Sequence, residues 1–483
     1  MGFRFVILWT DATLWVLFAA LLGYSWRVAR QPHLRANWVK VGRDPAALSA
    51  VLVLLIFSTI TALDSVHIRR ALPATVGQAS GGVFYDTRAE SLLDLAFARQ
   101  IEMRESSYSS PLDWQAYAKE TVTVNGQIQR LTPRLAHGGA HLVDPATQWL
   151  PDVWGRALSG AGLGLGLALL LAAGVARLLA GAHGGWRPAL RDLAADRTHW
   201  PLRALLLTTT LILIVAGAVL ALMGNYHVFG TDRTGNDVLV LAAKSVRTAF
   251  VLGLLATLAT LPIAVSLGIL AGWFRGWVDE AVQYLYTTLS SVPNVLLIAA
   301  CVLMVQVALD KHPEWFETGL ERADLKIFLL CVILGVTGWA TLCRLVRAET
   351  LKLRELDFVQ AATAFGVGST RIMGRHILPN VMHLVLITTV LNFSDLILYE
   401  AVLTYVGVGV DPSMSSFGGM INLARSEMSR DPVVWWSFAA AFGGMVALVL
   451  AANLFADAVR DAFDPRARVL RPRLTLRKTA VAK

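Results

Sequence analysis

Several long stretches of the chain are almost free of charged residues, and each is long enough to cross a membrane as a helix. A helix needs roughly 20 residues to span the hydrocarbon core of a bilayer. Eight stretches meet this requirement clearly: 46–64, 155–178, 203–224, 246–273, 280–308, 326–346, 378–402 and 433–457. A ninth, 4–26, contains Asp11 but lacks the basic leader and small-residue cleavage site of a signal peptide. The pattern predicts an all-α polytopic membrane protein with nine spanning helices.

The composition agrees with lipid as the surrounding medium. Hydrophobic residues make up 55% of the 483 residues and charged residues 16%, which is more apolar surface than one water-soluble core can bury. The three cysteines, Cys301, Cys331 and Cys343, all fall inside predicted spans. They provide neither a disulfide framework nor the spacing of a metal site, so we expect them to be small packing residues.

Basic residues are concentrated in four segments that nine spans would place on one side of the membrane. These segments are 27–43, 177–203, 344–375 and the tail from 460 onward. Loops rich in Lys and Arg face the cytoplasm, so we expect an outside N-terminus and a cytoplasmic C-terminus. Topology and anionic membrane lipids explain the net charge of +9, and we expect no nucleic-acid partner.

The predicted spans divide the chain into four regions. They are an N-terminal extension at 1–183, a cytoplasmic linker at 184–202, a core of six spans at 203–465 and a basic cytoplasmic tail at 466–483. The extension has three spans and one long outside loop, 65–153, which is long enough for a small extracytoplasmic domain. Within this loop, 89–104 has apolar residues clustered as in a helix, and 121–131 alternates like a strand.

The third predicted span has glycines at a regular spacing. They are Gly160, Gly162, Gly164 and Gly166. Overlapping Gly-x-x-x-Gly pairs of this kind let two helix backbones approach closely. We interpret them as a packing face against the rest of the bundle rather than as a contact specific to another protein.

The loop at 346–379 is long and patterned for a connection between two spans. Asp357 followed by Gln360 is a variant of the capping box at a helix N-terminus. Four apolar residues form one stripe at helical spacing: Phe358, Ala361, Ala362 and Phe365. Gly366 can adopt the left-handed conformation that ends a helix. Together these features predict a short amphipathic helix.

A second helical segment is predicted directly after this glycine. Ser369 can cap a helix that runs toward His376, and Pro379 would interrupt it before the next span. The loop is therefore predicted to form a helix-glycine-helix elbow on the basic side of the membrane. Such an elbow could lie on lipid headgroups or dock into a groove of a cytoplasmic partner.

The same run of residues resembles the EAA loop of ABC-importer permeases, whose pattern is Glu-Ala-Ala, three residues, Gly and a later Ile/Leu-Pro end. The positions that match the dipeptide and oligopeptide branch are Ala361, Ala362, Gly366, His376, Ile377, Leu378, Pro379 and Asn380. Gln360 stands where the family has Glu. Further segments similar to that branch are 230–237, 400–410, 416–418 and 453–466. Together the matches cover about residues 200–470, which is the predicted core.

The resemblance implies a six-helix permease core that forms half of an alternating-access pathway for peptides or similar small polar solutes in a bacterial inner membrane. It implies three kinds of partner: a second homologous permease, two cytoplasmic ATPase subunits and an extracytoplasmic solute-binding protein. The segment 355–376 would couple the pathway to the ATPases. The residues implied in this coupling loop are Asp357, Gln360, Ala361, Ala362, Phe365, Gly366, Arg371, His376 and Pro379.

The chain contains no Gly-x-x-x-x-Gly-Lys-Ser/Thr phosphate loop. ATP and Mg²⁺ would therefore be used by the partner ATPases. We expect this chain to be no enzyme by itself and to hold no cofactor or metal.

Some charged residues in or near the spans are candidates for function. Asp395 and Glu400 could line the pathway, since a charge inside the membrane costs at least about 2.5 kcal/mol unless it faces water or a partner. Glu400 could instead be solvated or bonded to the glycine-rich turn that follows it. Asp11 is expected to reach outward to water.

Two pairs of residues have the types found at metal sites, but a structural role is favoured for both. Pro379 lies between His376 and His383, and no carboxylate stands at ligand spacing. Asp232 and Asp237 flank a glycine in an external turn, where helix capping and loop packing are the expected roles.

Two other classes of function are possible from the residues. A secondary transporter should show inverted repeats and paired ionisable groups in broken helices, and apart from Asp395 the core lacks them. A membrane-embedded hydrolase or transferase needs a nucleophile and base, or metal ligands, at one depth, and no such group stands out.

Overall fold

The protein is mostly helical, and the computed structural model describes residues 3–71, 85–86, 89–124, 127–183, 185–316 and 318–463. The extension contains β1 (Phe3–Val6), α1 (Trp9–Arg30), α2 (Pro32–Gly42), α3 (Pro45–Asp64), β2 (His67–Arg70), β3 (Glu90–Ser91), α4 (Leu92–Ala96), α5 (Ala98–Glu102), β4 (Glu120–Val124), β5 (Gln127–Leu131) and α6 (Pro145–His183). The linker contains α7 (Trp186–Ala194). The core contains α8 (Leu202–Leu222), α9 (Val238–Phe274), α10 (Gly276–Ser291), α11 (Asn294–Lys311), α12 (Gly319–Gly338), α13 (Ala340–Arg354), α14 (Asp357–Ala364), α15 (Ser369–Ile372), α16 (Leu378–Tyr405), α17 (Phe417–Glu427) and α18 (Trp436–Phe463). The predicted basic tail, 466–483, lies outside the described residues.

Within the described residues, eight helices are long and apolar enough to cross a membrane. They are α1, α3, α6, α8, α9, α11, the continuous segment Ser369–Tyr405 that contains α15 and α16, and α18. The pair α12 and α13, bent by 43°, makes a ninth if it is counted as one span. The predicted class, an all-α polytopic membrane protein, is confirmed.

The first span begins later than the sequence predicts. Phe3–Val6 is a strand rather than part of a helix, and α1 starts at Trp9. This strand pairs antiparallel with β2, which in turn pairs with β3. Because β2 follows α3, the sheet brings the start of α1 and the end of α3 to the same end of the bundle.

The predicted span at 280–308 is interrupted in the structure. Helix α10 ends at Ser291, Val292 is extended with ψ 134°, and α11 begins after Pro293. Proline lacks an N–H and disfavours helical geometry in the residue before it, which explains the break. Only α11 is long and apolar enough to be the span within this stretch.

The described residues between α3 and α6, which are 65–71, 85–86, 89–124 and 127–144, lie outside the candidate spans, and we call them the loop domain. The predicted helix at 89–104 exists as two short helices, α4 and α5. The prediction of one strand at 121–131 is wrong, because β4 and β5 are two antiparallel strands with Val124 opposite Gln127. A single alternating pattern cannot distinguish one strand from two strands joined by a tight turn.

The glycines of α6 provide the predicted packing face, and their partner is α8. Close to Gly160 lies the backbone of Gly217, and a Cβ added at either position would overlap the other residue's carbonyl oxygen. Gly164 abuts the backbone of Leu213 in the same way, whereas Gly162 and Gly166 face open space. The Gly-x-x-x-Gly pair that packs is therefore the one formed by Gly160 and Gly164.

Helix α9 is the central element of the core and packs against α12, α13 and α16. At its C-terminal end, Ile269 and Trp273 belong to an apolar cluster that also includes Val346 of α13 and Val381 of α16. This end lies opposite the loop domain, which contacts the start of α9 through an ion pair between Lys244 and Asp94 (2.6 Å). The apolar cluster supports the predicted elbow.

Candidate functional site

The elbow begins with α14, and its N-terminus differs from the predicted capping box. Leu356 occupies the N-cap position without a side-chain hydrogen bond, and Asp357 is the first helical residue. Gln360 Nε2 donates to the carbonyl oxygen of Glu355 (3.2 Å). The carboxylate of Asp357 therefore stabilises α14 through its negative charge, which is favourable in the first turn of a helix.

Gly366 ends α14 as predicted, with φ +76°. The N–H of Val367 donates to the oxygen of Ala362 (3.1 Å), and the N–H of Gly366 donates to the oxygen of Thr363 (3.0 Å). This pair of hydrogen bonds is the Schellman motif, which requires a left-handed residue at the position of the glycine. No atom lies within 4 Å of the position that a Cβ would take, so only backbone conformation restricts this residue.

The two faces of α14 have different surroundings. Val359 is fully buried and packs with Ile372 and Ile377 in the apolar cluster at the end of α9. Phe358 and Phe365, members of the predicted apolar stripe, are 46% and 88% exposed. Of the other two stripe residues, Ala361 is exposed and Ala362 is half-buried. The elbow is thus held from one side and presents two aromatic side chains on the other.

The second arm of the elbow is not the separate helix that the sequence predicts. Gly368, not Ser369, is the N-cap of α15, and no side-chain hydrogen bond is formed there. The chain continues through a π turn, Met373–Ile377, directly into α16. Pro379 therefore does not interrupt the helix: the wider π turn accommodates a residue that has no N–H to give to the preceding turn.

Two further residues of the predicted coupling loop lie on this arm. Arg371 is exposed. The ring of His376 lies 6.0 Å from the ring of Phe358, so the two arms of the elbow contact each other here. His383 does not pair with it, since its Nδ1 lies 2.7 Å from the carbonyl oxygen of Asn380. Within the described residues, no group of three or more His, Cys, Asp or Glu side chains could hold a metal ion.

The base of the elbow is fastened to the end of α9 and the start of α10. Arg354 Nη1 donates to the carbonyl oxygen of Trp273 (2.7 Å), and its guanidinium lies over the indole ring. About two turns earlier on α13, Arg347 Nη2 donates to Asp279 Oδ2 (2.7 Å). A displacement of the elbow would therefore be transmitted to α9 and α10 through charged and aromatic contacts.

The two pathway candidates on α16 have different environments. Asp395 is exposed, whereas Glu400 is fully buried. The hydroxyl of Thr404 donates to Glu400 Oε1 (2.9 Å), and a Cβ added to Gly418 would lie 3.0 Å from the same oxygen. Glu400 therefore supports the turn between α16 and α17. A role in lining the pathway stays a prediction for both residues.

The expectation for Asp11 is wrong, because its side chain is only 2% exposed and belongs to a buried charge cluster. Arg247 Nη2 of α9 donates to Asp11 Oδ1 (2.6 Å), and His67 Nδ1 lies 2.9 Å from Asp11 Oδ2. The same guanidinium lies 3.6 Å from Asp324 of α12, which also accepts from the backbone N–H of Thr10 (3.0 Å). A charge in each of two apolar stretches, at positions 11 and 247, is the sequence signal that indicates such a pair.

The loop domain is fastened to the core through the segment 227–237. The imidazole of His227 lies between Asp237 (2.9 Å) and Glu105 (3.5 Å). Burial alone would lower the pKa of His227, but hydrogen bonds and charge from these carboxylates raise it to about 9. For Glu105, burial is outweighed by His227 and by three backbone N–H donors at 136–138, which lower its pKa to about 2.

Backbone contacts in the same place explain the glycines of the segment 230–237. A Cβ at Gly235 would overlap the carbonyl oxygen of Glu105, and one at Gly230 would overlap that of Ser109. Asp237 caps α9 by accepting from the N–H of Leu239 (2.8 Å). The capping and loop-packing role predicted for Asp232 and Asp237 is confirmed, since Asp232 accepts from backbone N–H groups of its own turn.

Comparison with known proteins gives one family and a group of similar curated proteins. The family described as "Binding-protein-dependent transport system inner membrane component" matches residues 264–469. The chain is 31% identical over 254 residues to the oligopeptide transport system permease protein OppC of Mycobacterium tuberculosis, covering 53% of this chain and 81% of that protein. It is 31% identical over 246 residues to OppC of Haemophilus influenzae, covering 51% and 72%. It is 30% identical over 243 residues to the dipeptide transport system permease protein DppC of Lactococcus lactis, covering 50% and 64%.

Proposed function

Because this chain belongs to the family of binding-protein-dependent transport system inner membrane components, we propose that it forms half of an alternating-access pathway for peptides or similar small polar solutes. The other half is a second homologous permease. Two ATPase subunits drive the cycle with ATP and Mg²⁺, and a solute-binding protein delivers the solute. The names of the oligopeptide and dipeptide permeases that are similar to this chain support the substrate class.

The elbow is the observation that carries the coupling part of this proposal. Its exposed aromatic side chains, Phe358 and Phe365, form an apolar surface that a groove of an ATPase subunit can cover. Its other face is fixed to the core through Val359, and Arg354 joins its base to α9. Closure of two ATPases around such elbows therefore moves the core helices rather than a free loop.

The orientation that we propose has the elbow in the cytoplasm and the loop domain outside. Exposed basic residues of α2 and α7 lie at the elbow end of the bundle, in agreement with the rule that cytoplasmic loops are rich in Lys and Arg. In this orientation Asp395, exposed on α16, faces the pathway or the second permease. Glu400 contributes to the pathway by holding the turn that precedes α17.

Affinity purification of the full chain from native membranes tests the assembly. We expect a second permease and two ATPase subunits to copurify, and peptide delivered by a binding protein to stimulate ATP hydrolysis in the reconstituted complex. The variant Phe365→Ser should lose most of the copurifying ATPase. The matched control is Trp315→Ser, which removes an aromatic side chain that is 61% exposed and lies away from the elbow. This control should copurify as much ATPase as the wild type.

The outcomes separate the proposal from its alternative. Transport of solute by the purified chain in vesicles that contain no ATPase, driven by an ion gradient, would identify a secondary transporter. Equal ATPase recovery from Phe365→Ser and Trp315→Ser would contradict the role of the elbow.

A further inference from the structure

Helix α7 has an unusual distribution of side chains for a linker between two spans. It lies between the end of α6 and the start of α8 and contacts both. Ala189 and Leu193 are buried against them. On the adjoining side, Trp186 and Leu190 are one turn apart and are 59% and 36% exposed. Apolar residues therefore continue from the packed face onto a face that the described structure leaves partly exposed.

The cations of α7 lie beside this exposed apolar face. Arg187 and Arg191 are also one turn apart, both are exposed, and each follows an exposed apolar residue by one position. Successive helix positions are separated by about 100°. An apolar stripe and a cationic stripe thus run side by side along α7, and the guanidinium of Arg187 lies 5.5 Å from the ring of Trp186.

Helix α2 extends the cationic surface. Its inner side packs on α18, where Trp38 stacks on Phe455, while Arg35 and Lys40 are exposed. The end of α2 meets the segment between α7 and α8, where Arg43 lies 2.6 Å from His199 and the ring of Trp200 occupies the position that a Cβ on Gly42 would take. The segments 31–44 and 185–200 together contain six Lys and Arg and three Asp.

We propose that α7, together with the adjoining α2, is a binding surface for anionic phospholipids. The position of α7 at the boundary of the bilayer follows from the two spans that it connects. Trp186 and Leu190 enter the acyl region, and Arg187 and Arg191 bind phosphate groups, with the cations of α2 attracting further anionic lipid. This surface lies in the N-terminal extension and linker, and its role does not depend on which solute the core transports.

Lipid analysis of the purified full chain tests this proposal. The chain is extracted from native membranes in mild detergent, and the copurifying phosphatidylglycerol, cardiolipin and phosphatidylethanolamine are quantified by mass spectrometry. We compare Arg187→Gln/Arg191→Gln with the control Arg130→Gln/Arg233→Gln, which removes two exposed arginines at the loop-domain end. Each Lys or Arg near an anionic surface raises the affinity for that surface roughly fivefold.

The expected result is at least a fivefold loss of anionic lipid relative to phosphatidylethanolamine in the α7 variant, with no loss in the control. The charge-conserving variant Arg187→Lys/Arg191→Lys should retain anionic lipid and so excludes misfolding as the cause of the loss. Free inorganic phosphate should not displace the retained lipid, because the apolar residues contribute to binding. Displacement by phosphate alone, or equal anionic lipid in all variants, would overturn the proposal.

A protein partner at the same surface gives a different result. If Arg187→Gln/Arg191→Gln lowered the recovery of ATPase subunits while the anionic lipid was unchanged, the basic surface would be a protein contact and the lipid proposal would be wrong. The full chain in nanodiscs of phosphatidylcholine, with or without phosphatidylglycerol, provides a second measurement. We expect phosphatidylglycerol to raise the unfolding temperature of the wild type and the control, and to raise that of the α7 variant less.

Discussion

Replacing Asp11 by Asn should destabilise the protein strongly, although the substitution is nearly isosteric. The carboxylate of Asp11 is 2% exposed and accepts from Arg247 at 2.6 Å, and Arg247 is 4% exposed. In the variant this guanidinium keeps the carboxylate of Asp324 at 3.6 Å, the charge of Asp64 and a hydrogen bond to Thr10 (3.1 Å), but it loses its 2.6 Å ion pair. The buried charge would therefore be less well compensated.

The magnitude follows from the burial of the pair. Removal of one member of a buried ion pair costs about 3–5 kcal/mol, whereas an exposed substitution changes the free energy of unfolding by less than about 0.5 kcal/mol. We therefore expect Asp11→Asn to lower the free energy of unfolding by about 3–5 kcal/mol. Asp395→Asn removes an exposed carboxylate from another span and should have little effect on stability.

Urea unfolding of the full chain in mixed micelles, followed by circular dichroism, measures this difference. The double variant Asp11→Asn/Arg247→Gln should lose less free energy of unfolding than the two single variants lose in sum, because both members of the pair are then neutral. Equal unfolding curves for Asp11→Asn and Asp395→Asn would refute the reasoning that the buried charge pair joins the extension to the core.

Three further predictions concern other contacts. Gly366→Leu forces a branched residue into the left-handed conformation at a cost of about 1–2 kcal/mol, so peptide-stimulated ATP hydrolysis should fall while membrane insertion, measured by fractionation, is unchanged. Gly235→Ala should lower the free energy of unfolding by about 1–3 kcal/mol, since the added Cβ overlaps the oxygen of Glu105, and an unaltered urea midpoint would contradict this. His227 has a pKa raised from 6.5 to about 9, so its stabilisation is full below pH 6.5 and is lost as the pH rises through about 9. Thermal unfolding of His227→Gln should show no such alkaline loss.

The spans and the elbow could be predicted from sequence because each depends on local chemistry. The length of an apolar stretch is enough to indicate a spanning helix. Gly366 indicates a left-handed turn at the end of α14 whatever the helix packs against. The prediction for the second arm of the elbow is wrong, because a capping residue such as Ser369 and a proline such as Pro379 are compatible with more than one local geometry. A π turn depends on packing at the end of α9, which the local pattern does not contain.

The contacts between the extension and the core could not be predicted in the same way. Asp11 and Arg247 are visible as charges in apolar stretches, but their pairing depends on α1 lying against α9. Likewise, Gly235 indicates a turn, while the reason that no larger residue fits is the carbonyl oxygen of Glu105 in a distant part of the chain. Such pairs are set by tertiary packing, which one sequence does not specify.

Photocrosslinking from position 365 tests most directly whether the elbow transmits work from a separate ATPase. A photoreactive amino acid replaces Phe365, which is 88% exposed at the tip of the elbow, and a control replaces Trp315. We expect illumination of native membranes to join position 365, but not position 315, to an ATPase subunit, with a yield that changes when ATP is trapped. The account would be contradicted if, in membranes where the assembled complex is intact, position 365 crosslinked only to lipid or to proteins on the outer side of the membrane.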